Sequence, residues 1–256
     1  MPMRHLQLFG LASPREIRAG DDLVGWVAQM CGEESLRVQA GDILVFAQKV
    51  VSKSEGRTVD LDTVTPSGRA LELAQQTGKD ARVVELILSE STQVVRATPQ
   101  VLIVRHRTGV VLANAGIDRS NVQQQGTGES VLLWPQDPDA SAERLHRAAS
   151  QHFSVHLPVL INDSLGRAWR RGTIGTAIGA AGMPCLLDLR GREDRHGFRL
   201  ITTEVGGADE IAAAASLVMG QAGEGIAAVL VRGVNLPARG GTAADLIRSK
   251  REDLFP

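Results

Sequence analysis

Apolar runs too short for anything but strands constrain this sequence most. Residues 6–8, 43–47, 101–104, 110–113, 159–161, 186–187, 200–203 and 227–231 are rich in Val, Ile and Leu, and several lead straight into Gly, Asn or Asp. Helical patterns lie between them. Leu23, Val27 and Met30 share one face of a helix over 21–30. Thr65-Pro66 reads as the start of a helix reaching about Thr77. Asp80 caps the next helix, Asp139 one to about His152, and Asp209 an alanine-rich one ending at Gly220. A short last helix is expected over 243–249. The runs 101–104 and 110–113 form a hairpin around Arg107-Thr108-Gly109. Strict βαβ alternation is absent, so the expectation is α+β, with mixed sheets and interleaved helices, in a single unit over 1–256 or in two intimately joined lobes. The segment 233–241 reads as a surface loop.

Composition removes several function classes. Lys and Arg number 28 against 29 for Asp and Glu, a net charge of -1, which gives no electrostatic case for nucleic acid. No stretch approaches the roughly 18 apolar residues of a membrane span, and the N-terminus lacks the apolar region of a signal peptide. A cytoplasmic protein is expected, with Cys31 and Cys185 as reduced thiols. The histidines have no HxH or HExxH spacing and no G-x-S-x-G is present, so neither zinc nor acyl-enzyme chemistry is indicated.

Four segments can carry chemistry. Gln48 and Lys49-Val50-Val51-Ser52-Lys53-Ser54-Glu55-Gly56-Arg57 follow an apolar strand. Two lysines with serines and a glycine there make either a phosphate-binding turn or a solvated charged loop. Asp118, in Asn114-Ala115-Gly116-Ile117-Asp118-Arg119-Ser120-Asn121, is a candidate ligand for a hard cation, and Asn121 can both donate and accept. The plainer alternative is an Asx-type turn. In Asn162-Asp163-Ser164-Leu165-Gly166-Arg167-Ala168-Trp169-Arg170-Arg171, an aspartate and a hydroxyl suited to Mg²⁺ or Mn²⁺ precede Arg167, Arg170 and Arg171, which can grip an anionic substrate. The alternative is a capped turn with surface arginines. Met219-Gly220-Gln221-Ala222-Gly223-Glu224-Gly225 has three glycines in a backbone able to approach a ligand closely, or it is an ordinary helix-to-strand loop.

Taken in order, these segments resemble the coenzyme F420:L-glutamate ligase family, also described as F420-0:gamma-glutamyl ligases. The resemblance is carried by Gly10-Leu11, Ala19-Gly20-Asp21-Asp22-Leu23, Gly41-Asp42-Ile43-Leu44, Val51-Ser52-Lys53-Ser54-Glu55-Gly56-Arg57 and Asn114-Ala115-Gly116-Ile117-Asp118. It continues through Ser120-Asn121-Val122, Asp137-Pro138-Asp139, Asp163-Ser164, Ala177-Ile178-Gly179, Ala208-Asp209-Glu210 and Leu217-Val218-Met219-Gly220.

The resemblance implies an enzyme that uses GTP and Mg²⁺ or Mn²⁺, with a possible place for K⁺. It phosphorylates the terminal carboxylate of the deazaflavin F420-0 and joins L-glutamate to it, with γ-linked glutamates to follow. The fold implied is that of F420-0:gamma-glutamyl ligases, in an intertwined homodimer. Lys53, Asp118 and Asp163 would be catalytic, and Asp118, Asp163, Ser164 and Gln221 would hold metal. Leu11, Gln48, Lys49, Ser52, Lys53, Asn121, Val218, Met219, Gly220, Gln221, Ala222, Gly223, Glu224 and Gly225 would contact nucleotide. The sequence departs from the family pattern in Gly10-Leu11-Ala12-Ser13-Pro14-Arg15-Glu16-Ile17, where GLPxI is common, in Gln48-Lys49, and in Gln221. With Pro256 as the last residue given, the nitroreductase-like C-terminal domain of some fused family members is not expected. Two other readings remain: the same chemistry on another carboxylate acceptor, or a catalytically silent nucleotide- or deazaflavin-binding protein.

Overall fold

The computed structural model describes residues 5–13, 15–120, 129–236, 240–249 and 251–253. The chain opens with β1 (Gln7–Ala12), α1 (Leu23–Glu33), β2 (Ile43–Ala47), α2 (Gln48–Ser54) and β3 (Thr58–Asp60). It continues through α3 (Gly68–Thr77), α4 (Ala81–Ser89), β4 (Ser91–Thr98), β5 (Val101–His106), β6 (Val111–Ala113) and β7 (Ser130–Leu132). Then come α5 (Pro138–Phe153), β8 (Val159–Arg167), β9 (Arg170–Ala181), β10 (Leu186–Asp188), β11 (Glu204–Gly206), α6 (Gly207–Met219) and β12 (Ile226–Arg232).

Five strands form the principal sheet in the order β1-β12-β2-β8-β9. Its one parallel pair is β2 with β8, from Leu44↔Val159 to Ala47↔Asn162. Both faces are covered, which explains why β2 reads as an unbroken apolar run rather than an alternating one. Leu44 and Phe46 face a core shared with α1 and α5, while Ile43 and Val45 face one built on α6. A third core, around Leu73, Val84, Ile87, Leu102 and Val104, lies between α3, α4 and the β4-β5-β6 meander. The β5–β6 hairpin turns where expected, with Gly109 at φ 94. The mixed α+β expectation holds. Among the described residues no helix is long and apolar enough to cross a membrane.

Several local expectations are corrected. The 49–57 segment begins as a helix, α2, whose N-cap Ala47 makes no side-chain cap bond, so no capping signal marks it. Helix α3 starts later than Thr65-Pro66, with Ser67 Oγ accepting from the Ala70 amide at 3.3 Å. Helix α1 begins at Leu23 rather than at 21, capped by Asp22, and Asp137 rather than Asp139 caps α5, with Pro138 in its first turn. Asp139 and Asp209 instead fix helices to the sheet: they accept from the β9 amides of Ala180 and Ala177, each at 2.9 Å. The 200–203 run is not a strand. Its Leu200 amide closes a turn onto the Arg192 carbonyl at 2.8 Å, and β10 pairs with β11 instead. The last helix is only a 3-10 turn, Ala243–Leu246.

Candidate functional site

At one end of the parallel pair lies a cavity of about 910 Å³. Its walls come from the β1–α1 connection (Ser13, Arg15, Glu16, Ile17), α2 (Gln48, Lys49, Lys53), the turn after β6 (Asp118, Ser120), the β8–β9 hairpin (Asn162, Asp163, Ser164, Thr173) and the loop after α6 (Met219 to Gly225).

Asp118 is delivered by an unusual turn. Asn114, Ala115 and Gly116 take consecutive left-handed conformations, φ 54, 52 and 68. Alanine is strained there by about 1 kcal/mol, a cost that persists only where the surroundings fix the backbone. They do so here. The Asp118 amide donates to the Leu132 carbonyl at 3.0 Å, and the Leu132 amide returns a bond at 2.9 Å. Gly116 has no room for a side chain, because a Cβ would lie 2.3 Å from Trp134 Nε1.

Asp163 follows directly after the last β2–β8 pair, Ala47↔Asn162, and a register shift between Ile161 and Asn162 precedes it. It is therefore not at the end of its strand, which runs on to Arg167. Trp134 Nε1 donates to Asp163 Oδ2 at 2.8 Å, and the Ser164 amide donates to Oδ1 at 2.7 Å. One short stretch, Leu132 to Trp134, thus holds the backbone of one aspartate and the carboxylate of the other.

The two carboxylates lie close enough for the charge of one to act on the other. Burial pushes the Asp163 carboxyl up, the nearby Asp118 charge raises it further, and it reaches about 6. Burial also raises Asp118, against the pull of Lys49, whose Nζ lies 3.0 Å from Asp118 Oδ1 and 3.2 Å from Ser120 Oγ. Asp118 Oδ2 is buried with no hydrogen-bond partner among the described residues. An orphaned carboxylate oxygen beside a second carboxylate fits a divalent cation that takes oxygen ligands. Among the described residues no third His, Cys, Asp or Glu joins them, so further ligands would be hydroxyl, amide, phosphate or water oxygens.

Positive groups face this pair. Lys53 is ion-paired with Glu16. The loop after α6 is shaped for an anion: the Ala222 amide donates to Glu224 Oε2 at 2.8 Å, and the amides of Glu224, Ala222 and Gln221 hold the Glu224 carboxyl below its usual range. A carboxylate folded back on its own loop stands in for the oxyanion such a nest of amides can take.

Not every expected residue meets at the cavity. Gln48, Lys49, Lys53, Asp118, Asp163, Ser164 and Met219 through Gly225 line it. Leu11 and Ser52 are buried away from the lining, and Val218 packs against the α6 core. Ser52 Oγ instead accepts from Gln48 Nε2 at 2.7 Å. Arg167, Arg170 and Arg171 project from the β8–β9 turn, outside the lining. Asn121 falls outside the described residues. Sequence reading missed Glu16, Asn162, Thr173 and Trp134. Only Asn162, next to Asp163, carried a signal; Glu16 and Trp134 are joined to the site across 37 and 29 residues.

The model for the F420-0:gamma-glutamyl ligase family matches residues 13–233. A coenzyme F420:L-glutamate ligase from Methanothermobacter thermautotrophicus is 41% identical over 253 residues, 98% of each chain. One from Methanopyrus kandleri is 44% identical over 245 residues, 94% of each. One from Methanocaldococcus jannaschii is 42% identical over 218 residues, covering 85% of this chain and 86% of that relative. Relatives of this length and identity define the class, a ligase. The chain belongs to the F420-0:gamma-glutamyl ligase family.

Proposed function

We propose that this protein joins L-glutamate to F420-0 at the expense of GTP. One observation carries the reading furthest: two buried aspartates, two lysines and an amide-rich loop converge on a single cavity. A carboxylate is a poor electrophile, so amide formation requires that it first be activated. A carboxylate oxygen of F420-0 attacks the γ-phosphorus, the bond to GDP breaks, and an acyl phosphate forms. The amine of glutamate then attacks the acyl carbon. The C–N bond forms, phosphate leaves with the acyl C–O bond, and the nitrogen loses a proton to water. Further glutamates follow by γ-linkage.

Catalysis of this kind is mostly positioning and charge neutralisation. Lys53 and Lys49 supply positive charge toward the phosphates, and the 219–225 loop supplies amide donors once Glu224 yields them. Gln48 flanks the nucleotide. Asp118, Asp163, Ser164 and Gln221 would hold Mg²⁺ or Mn²⁺, whose chemistry is to neutralise phosphate charge. K⁺ is a further candidate. The working unit in this reading is a homodimer, and a folded, active monomer by light scattering at micromolar concentration would overturn that part.

The test is to incubate the protein with F420-0, GTP, Mg²⁺ or Mn²⁺ and glutamate, and to measure products by mass spectrometry. A glutamyl mass increment with stoichiometric GDP is expected. Nucleotide binding without product would mark a silent binder. Turnover only with a different carboxylate would replace the acceptor, and equal turnover with ATP would remove the guanine requirement.

A further inference from the structure

The β8–β9 hairpin that carries Asp163 and Ser164 into the cavity continues outward as a bare basic finger. Strand register pairs Ser164 with Gly175, Gly166 with Thr173, and Arg167 with Arg170, leaving Ala168 and Trp169 as the turn. Thr173 and Ser164 still line the cavity. Beyond them lie Gly172, Arg171, Arg170 and Trp169. Trp169 is 92% exposed, whereas the chain's other tryptophans, Trp26 and Trp134, are 7% and 0% exposed. Its backbone sits at φ 62, where a bulky side chain is seldom found. Among the described residues none of Arg167, Arg170 and Arg171 has a carboxylate partner. Arg167 Nη2 donates instead to the Arg171 carbonyl at 3.2 Å.

An exposed indole beside three guanidiniums that have no carboxylate partner among the described residues is a surface for a planar, negatively charged molecule. The indole offers a stacking face, and the guanidiniums offer bidentate sites for phosphate or carboxylate. Its placement selects which reactant. GTP's phosphates belong at the aspartates and the 219–225 loop, and glutamate is too short to bridge the distance. Strand rise is about 3.3 Å per residue, so Arg167 lies about 13 Å along β8 from Asp163, and Trp169 further still.

We infer that this finger is the docking site for the body of the acceptor. The ligand class is an elongated anion whose reacting carboxylate sits at Asp163, whose second negative charge meets Arg167, Arg170 or Arg171, and whose planar ring stacks on Trp169. The inference rests on the ligase reading and adds a subsite to it.

The experiment measures F420-0 binding by equilibrium dialysis, together with steady-state kinetics, in the wild type and in Trp169→Ala, Trp169→Phe and the double variant Arg170→Ala/Arg171→Ala. Loss of one stacked ring weakens binding by about tenfold, so Trp169→Ala is expected to raise the dissociation constant and KM for F420-0 by about that factor. GTP affinity should not change, and kcat at saturating acceptor should stay within about twofold. Trp169→Phe should recover most of the loss, and the double arginine variant should show it with added salt sensitivity. If all variants bind F420-0 as the wild type does while wild-type ligation proceeds, the docking site is wrong and the ligase reading stands. If Trp169→Ala instead dissociates an oligomer with acceptor affinity unchanged, the finger is a contact between copies of the chain and the inference falls. If the wild type neither binds nor ligates F420-0, both fall together.

Discussion

Replacing Asp163 by Asn should make the protein inactive and more stable in the same step. The carboxyl at 163 stands at about 6 against an ordinary 3.8, owing first to burial and then to the charge of Asp118. Two pKa units correspond to about 3 kcal/mol. The sign follows from which state ionises first. Between about pH 4 and 6 the unfolded chain has lost a proton that the native chain keeps, so stability falls as pH rises through that window, and the deficit is complete above pH 6. Asparagine never ionises and escapes the deficit. It gives some back, because Trp134 Nε1 and the Ser164 amide donate to different oxygens of Asp163, and the amide NH₂ can accept from neither. One such mismatch costs about 1–2 kcal/mol.

The net gain above pH 6 is therefore about 1–2 kcal/mol, or roughly 2–6 °C in Tm for a chain of this size. Thermal unfolding by circular dichroism, in chelator, from pH 4.5 to 8 is the assay. The Tm difference between variant and wild type should grow with pH and level off above 6. Mn²⁺ with GTP should raise the Tm of the wild type but not of the variant, and ligation should fall about a thousandfold. A variant less stable than wild type at pH 7.5, or a Tm difference that ignores pH, would refute the electrostatic account of this site.

Two other perturbations separate framework from chemistry. Glu90 is buried. Burial pushes its carboxyl up, but the His106 ring at 3.6 Å and the guanidiniums of Arg107 at 2.7 Å and Arg57 at 3.0 Å outweigh this and hold it at about 2. Glu90→Gln should cost about 3 kcal/mol in urea unfolding near neutral pH. The wild type should lose that contribution as pH falls from about 4.5 toward 2. Gly116→Ala forces a Cβ to 2.3 Å from Trp134 Nε1 at φ 68, and should destabilise by about 2–4 kcal/mol while lowering ligation further than the fold loss alone accounts for.

Much of this site could be read in the sequence because its pieces are local. Asp118 and Asp163 each follow an apolar run, and the glycines of the 219–225 loop announce a close backbone. What could not be read depends on distant partners. Helix α2 has no side-chain cap to mark its start. Trp134 resembles any core tryptophan in sequence, and its part in the site comes from an aspartate 29 residues away. Asp139 and Asp209 match the capping pattern, but their carboxylates hold a strand instead, a choice that local propensity cannot see.

The parallel pairing of β2 with β8 has a kinetic consequence. It joins Leu44 to Val159, and it is flanked by β12, whose partner β1 joins Gln7 to Arg232. Closing loops of that length is slow, and it precedes any reward from the contacts it allows. Lys49 and Lys53 on one arm cannot meet Asp163 on the other until the sheet has closed. If these side chains hold GTP as proposed, no early intermediate can bind it, and in a refolding experiment nucleotide protection should emerge only in the final phase, as a clock for completion of the whole chain.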